Sequence, residues 1–321
     1  MAITNRRRVL GFAGAAAALS AFPLRAQDKF PSKPIEVVTH SGVGGGTDIT
    51  ARMMMVHAPG VFKTEFVVVN RTGGSGAAAM DYLLERKDGH TIALITQTHL
   101  LTILRSKGKY KYEDLVPLAR ATEDPQVLMV GKGSPYKTAQ DFFKAAKGKP
   151  MKFGTTHVGS VDHIGSVAVA RAAGVQPPVI VPFRGGGDIV INLVGGNIDA
   201  ALVNFAEAES QVKSGDVRPL ATFADSRLSV LQNVPTGKEI GVNTVQATVR
   251  GFVTARGVPD DRVKTLESGL VKAMEGQMFQ SYLETSGQAK DSVAGAGTWK
   301  AQLDAFMTEG KQTLEALGLL K

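Results

Sequence analysis

The 321-residue chain contains no cysteine. That absence removes disulfides, thiolate zinc sites and cysteine nucleophiles together, and with them every small disulfide-stapled scaffold. Aromatic residues are scarce, with one Trp and five Tyr, too few rings to offer a single strand of nucleic acid a stacking platform. Metal-binding patterns are also lacking. The six histidines stand at 40, 57, 90, 99, 157 and 163 without a His-x3-His pair, and no Asp-rich calcium loop occurs. No glycine loop carries the lysine of a phosphate-binding loop, which argues against nucleotide hydrolysis. Beyond residue 26, no apolar run is long enough to cross a bilayer. No metal, cofactor or nucleic acid partner is expected.

What remains is ordinary globular material, 43% hydrophobic and 21% charged, with 36 glycines and 14 prolines. A chain this long approaches the limit of one core, so two domains are expected. Residues 1–26 read as an export signal: Arg6, Arg7 and Arg8 precede an uncharged apolar run over residues 9–22, and Leu24-Arg25-Ala26 offers a cleavage site. The run is short for a membrane span. Asn5-Arg6-Arg7-Arg8-Val9-Leu10 resembles a twin-arginine motif; a general secretory signal and a membrane anchor are the competing readings. Cleavage puts the mature chain in the periplasm and, by removing four arginines, lowers its formal charge from +8 to +4. The remaining bases mingle with acids, as in Arg256, Asp260, Asp261 and Arg262, and form no stripe suited to nucleic acid. Such a mildly basic body suits a small anion.

Along the mature chain, β-branched runs alternate with helical periodicity. Strands are expected at residues 35–39, 66–70 and 91–95, with helices at 48–58 and 77–85 between them. A second series has strands at 127–130, 151–153, 179–181, 200–203 and 218–222, and helices at 138–146, 162–173 and 188–193. Two further helices, 260–275 and 298–317, close the chain. This alternation predicts parallel sheet covered by helices, in two α/β lobes.

Glycine-rich loops follow several of these strands. They are Ser41, Gly42, Val43, Gly44, Gly45, Gly46, Thr47, Asp48; then residues 72–76, residues 154–160 and residues 184–188. A helix N-terminus leaves unpaired N–H groups and a partial positive charge, and glycine lets an anion approach them. Such loops lie where open α/β sheets bind ligands, so they either cradle an anion between two lobes or simply turn the chain. Gly74-x-Gly76-x-x-Ala79 fits a dinucleotide fingerprint, but the next strand ends in Thr96-Gln97-Thr98 without the acid that holds a ribose. Gly73-Gly74-Ser75-Gly76-Ala77 is a near miss to a nucleophile elbow, with Ala at the last position and His157 or His163 as candidate bases. A secreted serine hydrolase acting on small esters is therefore the alternative to a binding protein.

An ordered set of short motifs resembles the substrate-binding receptors of tripartite tricarboxylate transporters, the Bug family. It runs from Lys33-Pro34-Ile35 and Gly44-Gly45-Gly46-Thr47-Asp48 through Val68-Val69-Asn70-Arg71-x-Gly73-Gly74-x-Gly76 and Asp88-Gly89-His90-Thr91. It continues through Gly159-Ser160-x-x-His163, Val181-Pro182-Phe183-Arg184-Gly185-Gly186, Leu193-x-Gly195-Gly196-x-x-Asp199 and Val234-Pro235-Thr236. The resemblance implies an α/β periplasmic binding protein, type II-like, a Venus flytrap that catalyses nothing. One lobe is expected at residues 29–123 plus 233–321 and the other at 124–232, joined by a two-crossing hinge. A small organic carboxylate is the implied ligand, a membrane permease the implied partner and a monomer the expected state. The implied site comprises the loop from Ser41 to Asp48, then Thr96, Gln97, Thr98 and His99, then Thr155, Thr156, Gly159, Ser160 and His163, with Arg184, Gly185 and Asn204.

Ser160, Thr155 and the amides near Gly45 are expected to bond the carboxylate, and Thr47 or Asp48 to cap the first helix. Asp48 would repel a carboxylate directly, so it caps or holds water. Many relatives carry Pro-Phe-Pro-Pro before the triple glycine, where this chain has Thr39-His40-Ser41-Gly42-Val43. The pocket wall there is more polar, and His40 either points into the cleft or finishes the strand.

Overall fold

The computed structural model describes residues 29–105, 111–316 and 318–320. The export-signal reading of residues 1–26 lies outside them. The first series is β1 (Ile35–Thr39), α1 (Gly46–Met55), α2 (Ala58–Phe62), β2 (Phe66–Asn70), α3 (Ala77–Leu84), β3 (Thr91–Thr96) and α4 (Gln97–Arg105). The second is β4 (Leu115–Gly131), α5 (Ala139–Gly148), β5 (Lys152–Thr155), α6 (Val161–Ala172), β6 (Val179–Pro182), α7 (Gly186–Val194), β7 (Ala200–Asn204), α8 (Phe205–Lys213) and β8 (Val217–Thr222). The chain ends with β9 (Ala247–Ala255), α9 (Asp260–Met274), α10 (Gln277–Thr285), β10 (Ala294–Gly295) and α11 (Ala296–Ala316).

The strands run in the order β2-β1-β3-β9-β4-β7-β5-β6, with β8 and β10 also pairing β4. Both flanks are parallel as expected: β1 with β2 and β3, and β5 with β6 and β7. The middle is not. β9 runs antiparallel to β3 and β4, and β4 runs antiparallel to β7 and β8. The parallel expectation fails in the middle because β9 and the first half of β4 carry no local strand signal, and because β4, continuous from one half into the other, enters the second half antiparallel to β7 and β8. Pro117 and Pro125 sit within β4, and its register shifts between Pro117 and Ala119 and between Arg120 and Thr122. Proline in a strand sequence ordinarily signals its end or an irregularity. In β9, Arg250 and Gly251 look like breakers. A Cβ on Gly251 would lie 2.3 Å from the ring of fully buried Trp299, so the glycine is what lets α11 pack against this strand.

Successive strand residues face opposite sides and enter opposite cores. On β1, Val37 packs with Met54, Phe252 and Phe279, while Val38 packs with Met80, Val253 and Trp299. On β4, Leu128 and Val130 join Phe142 and Phe153, whereas Val127 and Met129 join Ile189 and Leu193. Each half of the sheet is thus covered by helices on both faces, and β4, 17 residues long, runs from one half into the other. Residues 234–246 keep contact with the second half past the expected boundary at 232. Val242 packs with Phe223, Val234 packs with Leu231, and the Gly237 N–H donates to the Thr222 carbonyl. The Gln126 and Gln246 backbones then bond side by side where the chain passes back into β9.

Candidate functional site

Where β4 passes between the two halves, loops from both enclose a cavity of about 50 Å³. On the first side stands the end of β1 and the loop into α1. Thr39 Oγ1 lies 3.0 Å from Thr47 Oγ1, and Ser41 Oγ lies 2.5 Å from the same atom, so three hydroxyls form one buried cluster. Asp48 shapes the loop from below. Its carboxylate accepts from the Gly44 N–H at 3.0 Å, Asn70 Nδ2 at 2.9 Å and Arg52 Nε at 2.9 Å. Burial works against its charge, but the Arg52 and Asn70 bonds outweigh it and hold the carboxyl below its usual range. Neither Thr47 nor Asp48 caps α1. The N-cap is Gly45, with no side-chain bond, and the expectation failed because both side chains are committed to other partners.

The second side presents the starts of α6, α7 and α8, and the two sides touch. The Gly42 N–H donates to the Arg184 carbonyl at 3.4 Å, the Val161 N–H to Thr98 Oγ1 at 3.3 Å, and Arg105 Nη1 to the Val158 carbonyl at 2.7 Å. Most telling is Glu207 on α8. Its carboxylate accepts from the Gly46 N–H at 2.6 Å, so an acid of one half sits on the N-terminus of a helix in the other.

A charged cluster forms the floor. Arg250 on β9, 2% exposed, donates from Nη1 to Asp124 Oδ2 at 2.7 Å and from Nη2 to Asn204 Oδ1 at 2.7 Å. Gly46 makes this possible: a Cβ there would fall 2.1 Å from Nη2. Burial pushes Asp124 up to about 7 despite Arg250, raises Glu207 as well, and leaves Arg250 charged because its acidic neighbours outweigh its own desolvation. Above it, His40 packs edge-on to His99 with centroids 4.3 Å apart and lies 6.0 Å from His157. Burial first, then its cationic or imidazole neighbours, holds His40 well below its ordinary value, and burial takes His99 down to about 3. These rings are neutral at physiological pH.

Of the residues singled out in the sequence, Ser41, Gly46, Thr47, Thr96, Thr98, Thr156, Gly185 and Asn204 line the cavity, and so does His40. The others surround it or point their chemistry elsewhere. Val43 is 78% exposed, and Gly44, at φ +79°, turns the loop. Gln97 is spent on β9, donating to the Ala247 carbonyl and accepting from the Val249 N–H. His99 Nδ1 accepts from the Thr96 N–H. Ser160 caps α6, its Oγ accepting from the His163 N–H and donating to the His157 carbonyl, while His163 Nδ1 accepts from the Gly159 N–H. Thr155 is fully buried with its hydroxyl unpartnered. Sequence reasoning missed Arg250, Glu207, Gln126 and Thr248 in the wall and Asp124 beneath it. The one available signal was a lone arginine inside the apolar run Val249-Arg250-Gly251-Phe252-Val253.

Ser75 adopts φ 55°, ψ 42°, a strained turn for a non-glycine residue, but its recorded bond is a carbonyl accepting from Thr102 Oγ1 at 2.6 Å. Among the described residues, no histidine bonds its hydroxyl, no cluster of three or more His, Asp or Glu is placed to hold a metal, and no helix is long and apolar enough to cross a membrane.

Comparison with known proteins gives a consistent picture. Residues 51–306 match the family model of the tripartite tricarboxylate transporter family receptor. A "UPF0065 protein in gbd 5'region" of Cupriavidus necator is 30% identical over 289 residues, covering 87% of this chain and 88% of that protein. A TctC solute binding protein from Polaromonas is 28% identical with TM-score 0.65, covering 89% of this chain and 99% of that one. MatC of Rhodopseudomonas palustris, solved with bound malate, shares the fold at 23% identity and TM-score 0.82, covering 89% of this chain and 100% of that one. The family is one of transporter receptors and the Polaromonas protein is a solute binding protein, which sets the chain apart from the hydrolase alternative. The chain has the α/β fold of periplasmic binding proteins and belongs to the tripartite tricarboxylate transporter receptor family.

Proposed function

We propose that this protein is a periplasmic receptor that closes two lobes on a small organic carboxylate and delivers it to a membrane permease of the tripartite type. The observation that carries the reading is the cavity enclosed by loops from both halves of the sheet, with hydroxyls, backbone amides and a buried guanidinium in its walls. Family membership and the malate held by MatC support the ligand class. The lobes pivot where β4 passes Asp124 and where residue 246 leads back into β9. Residues 1–26 direct export and are removed, and the receptor works as a monomer. The expected loops, Ser41–Asp48, Thr96–His99, Thr155–His163, Arg184–Gly185 and Asn204, carry the site, some by lining it and others by shaping the backbone that does.

Hydrogen bonds to a charged group contribute about 1.5–3 kcal/mol each, and micromolar affinity needs about 8 kcal/mol. A few such bonds, less the cost of closure, reach that range. A thermal-shift screen of the mature chain against mono-, di-, tri- and aromatic carboxylates tests the reading. At least one should raise Tm without turnover. A panel that leaves Tm unmoved, or ester hydrolysis abolished by Ser75→Ala, contradicts it.

A further inference from the structure

The floor of the cavity and the layer beneath it hold three charged groups in unequal number: two carboxylates, the buried Asp124 and the half-buried Glu207, and one buried guanidinium, Arg250. Arg250, which lines the cavity, uses Nη1 and Nη2 on Asp124 and Asn204, yet its buried Nε–H has no partner. A buried cationic donor without an acceptor is costly unless a ligand supplies one. Asp124 Oδ1 is likewise unpartnered and buried.

We propose that Arg250 receives the ligand's carboxylate through Nε–H, and that Asp124 and Glu207 make this capture proton-linked. The inference rests on the carboxylate reading above and adds the residue and the proton to it. With both acids ionised, an incoming carboxylate is a third negative charge against one positive charge in a poorly solvated wall. Uptake of a proton by Asp124 offsets the charge the ligand brings and passes the pairing of Arg250 from the resident acid to the ligand. Glu207 already accepts from the Gly46 N–H of α1 and the Asn204 N–H beside it, whereas Asp124 Oδ1 is unpartnered, so the proton is assigned to Asp124.

Other groups face the cluster from the elements packed on it. His40 at the end of β1 acts on Arg250, Tyr282 on α10 acts on Asp124 and Arg250, and Asp162 on α6 acts on Glu207. Burial keeps His40 neutral and pushes Tyr282 up to about 12, so neither exchanges protons between pH 6 and 8. Asp124, pushed up to about 7 by burial, titrates there. Its proton is partly bound before the ligand arrives, so uptake near neutrality is a fraction of one proton per carboxylate.

The test takes whichever of malate, succinate, adipate, citrate, benzoate and nicotinate shifts Tm most, together with its carboxamide, and titrates both into the mature chain by calorimetry. The wild type should favour the carboxylate by at least about tenfold. Arg250→Gln should bring that ratio close to one, a change that a purely structural role for Arg250 does not produce. Calorimetry at pH 7 in phosphate and in Tris should show fractional proton uptake, with affinity falling from pH 6 to pH 8. Asp124→Asn, which keeps Arg250, should abolish the uptake and flatten the profile. An undiminished ratio in Arg250→Gln overturns the anchor, and uptake that persists in Asp124→Asn overturns the proton link. A panel in which no carboxylate binds instead overturns the receptor reading itself, and this inference with it.

Discussion

The two walls of the cavity are built by different means. The first, from β1 to α1, is local: within ten residues Thr39, Ser41 and Thr47 bond one another directly, and Asp48 takes the Gly44 N–H. The second is assembled over long distances in the chain. Arg250 meets Asp124 across 126 positions, and Gly46 meets Glu207 across 161. The local wall offers hydroxyls and amides that adapt to an anion, while the long-range wall supplies fixed charge and ties the halves together.

The largest expected effect comes from breaking the long-range wall. Arg250→Met leaves Asp124 buried without its cation and should cost about 3–5 kcal/mol in denaturant unfolding at pH 8. The loss should shrink at pH 6, where Asp124 takes a proton instead. A loss that does not depend on pH would mean that packing, not charge, dominates there. Next come the glycines that admit bulky neighbours. Gly46→Ala and Gly251→Ala push a Cβ to 2.1 Å from Arg250 and 2.3 Å from Trp299, and should each cost about 1–3 kcal/mol. Gly42→Ala, with nothing within 4 Å, should stay within about 0.5 kcal/mol in the same assay.

The pH dependence of stability sharpens the comparison further. The pKa of Asp124 is raised to about 7 in the folded chain, from about 4 when unfolded. Between those values the folded state binds more protons, so this group's contribution to stability declines as pH rises through the window. Melting curves of Asp124→Asn against the wild type should show that decline removed. In the local turns, Ser160→Ala removes the α6 cap and should cost about 1 kcal/mol. Arg52→Ala tests the same local wall. Arg52 is half exposed, but it grips the buried Asp48 carboxylate with two bonds, so its loss should cost about 1–2 kcal/mol in the same assay.

The same division explains what the sequence made legible. β1, β2, β3 and their helices announce themselves by local periodicity, and the structure places them within a few residues of expectation. The loop from Ser41 to Asp48 is legible because glycine next to a helix start has a local physical meaning. β9 and the first half of β4 were not, because their prolines, arginine and glycine are tolerated only through distant partners such as Trp299 and Asp124. α4 begins at Gln97 directly from β3, with no turn residues to mark it. Glu207 reads locally as the third residue of a capping box with Asn204, and nothing near it reveals that its carboxylate also reaches Gly46.

A crystal structure of the mature chain with the most strongly stabilising carboxylate tests the central claim most directly. The account predicts the carboxylate between the two halves, within hydrogen-bond reach of the Ser41–Thr47 loop and of Arg250 Nε. A carboxylate bound on an outer face, with neither wall touching it, would contradict the account.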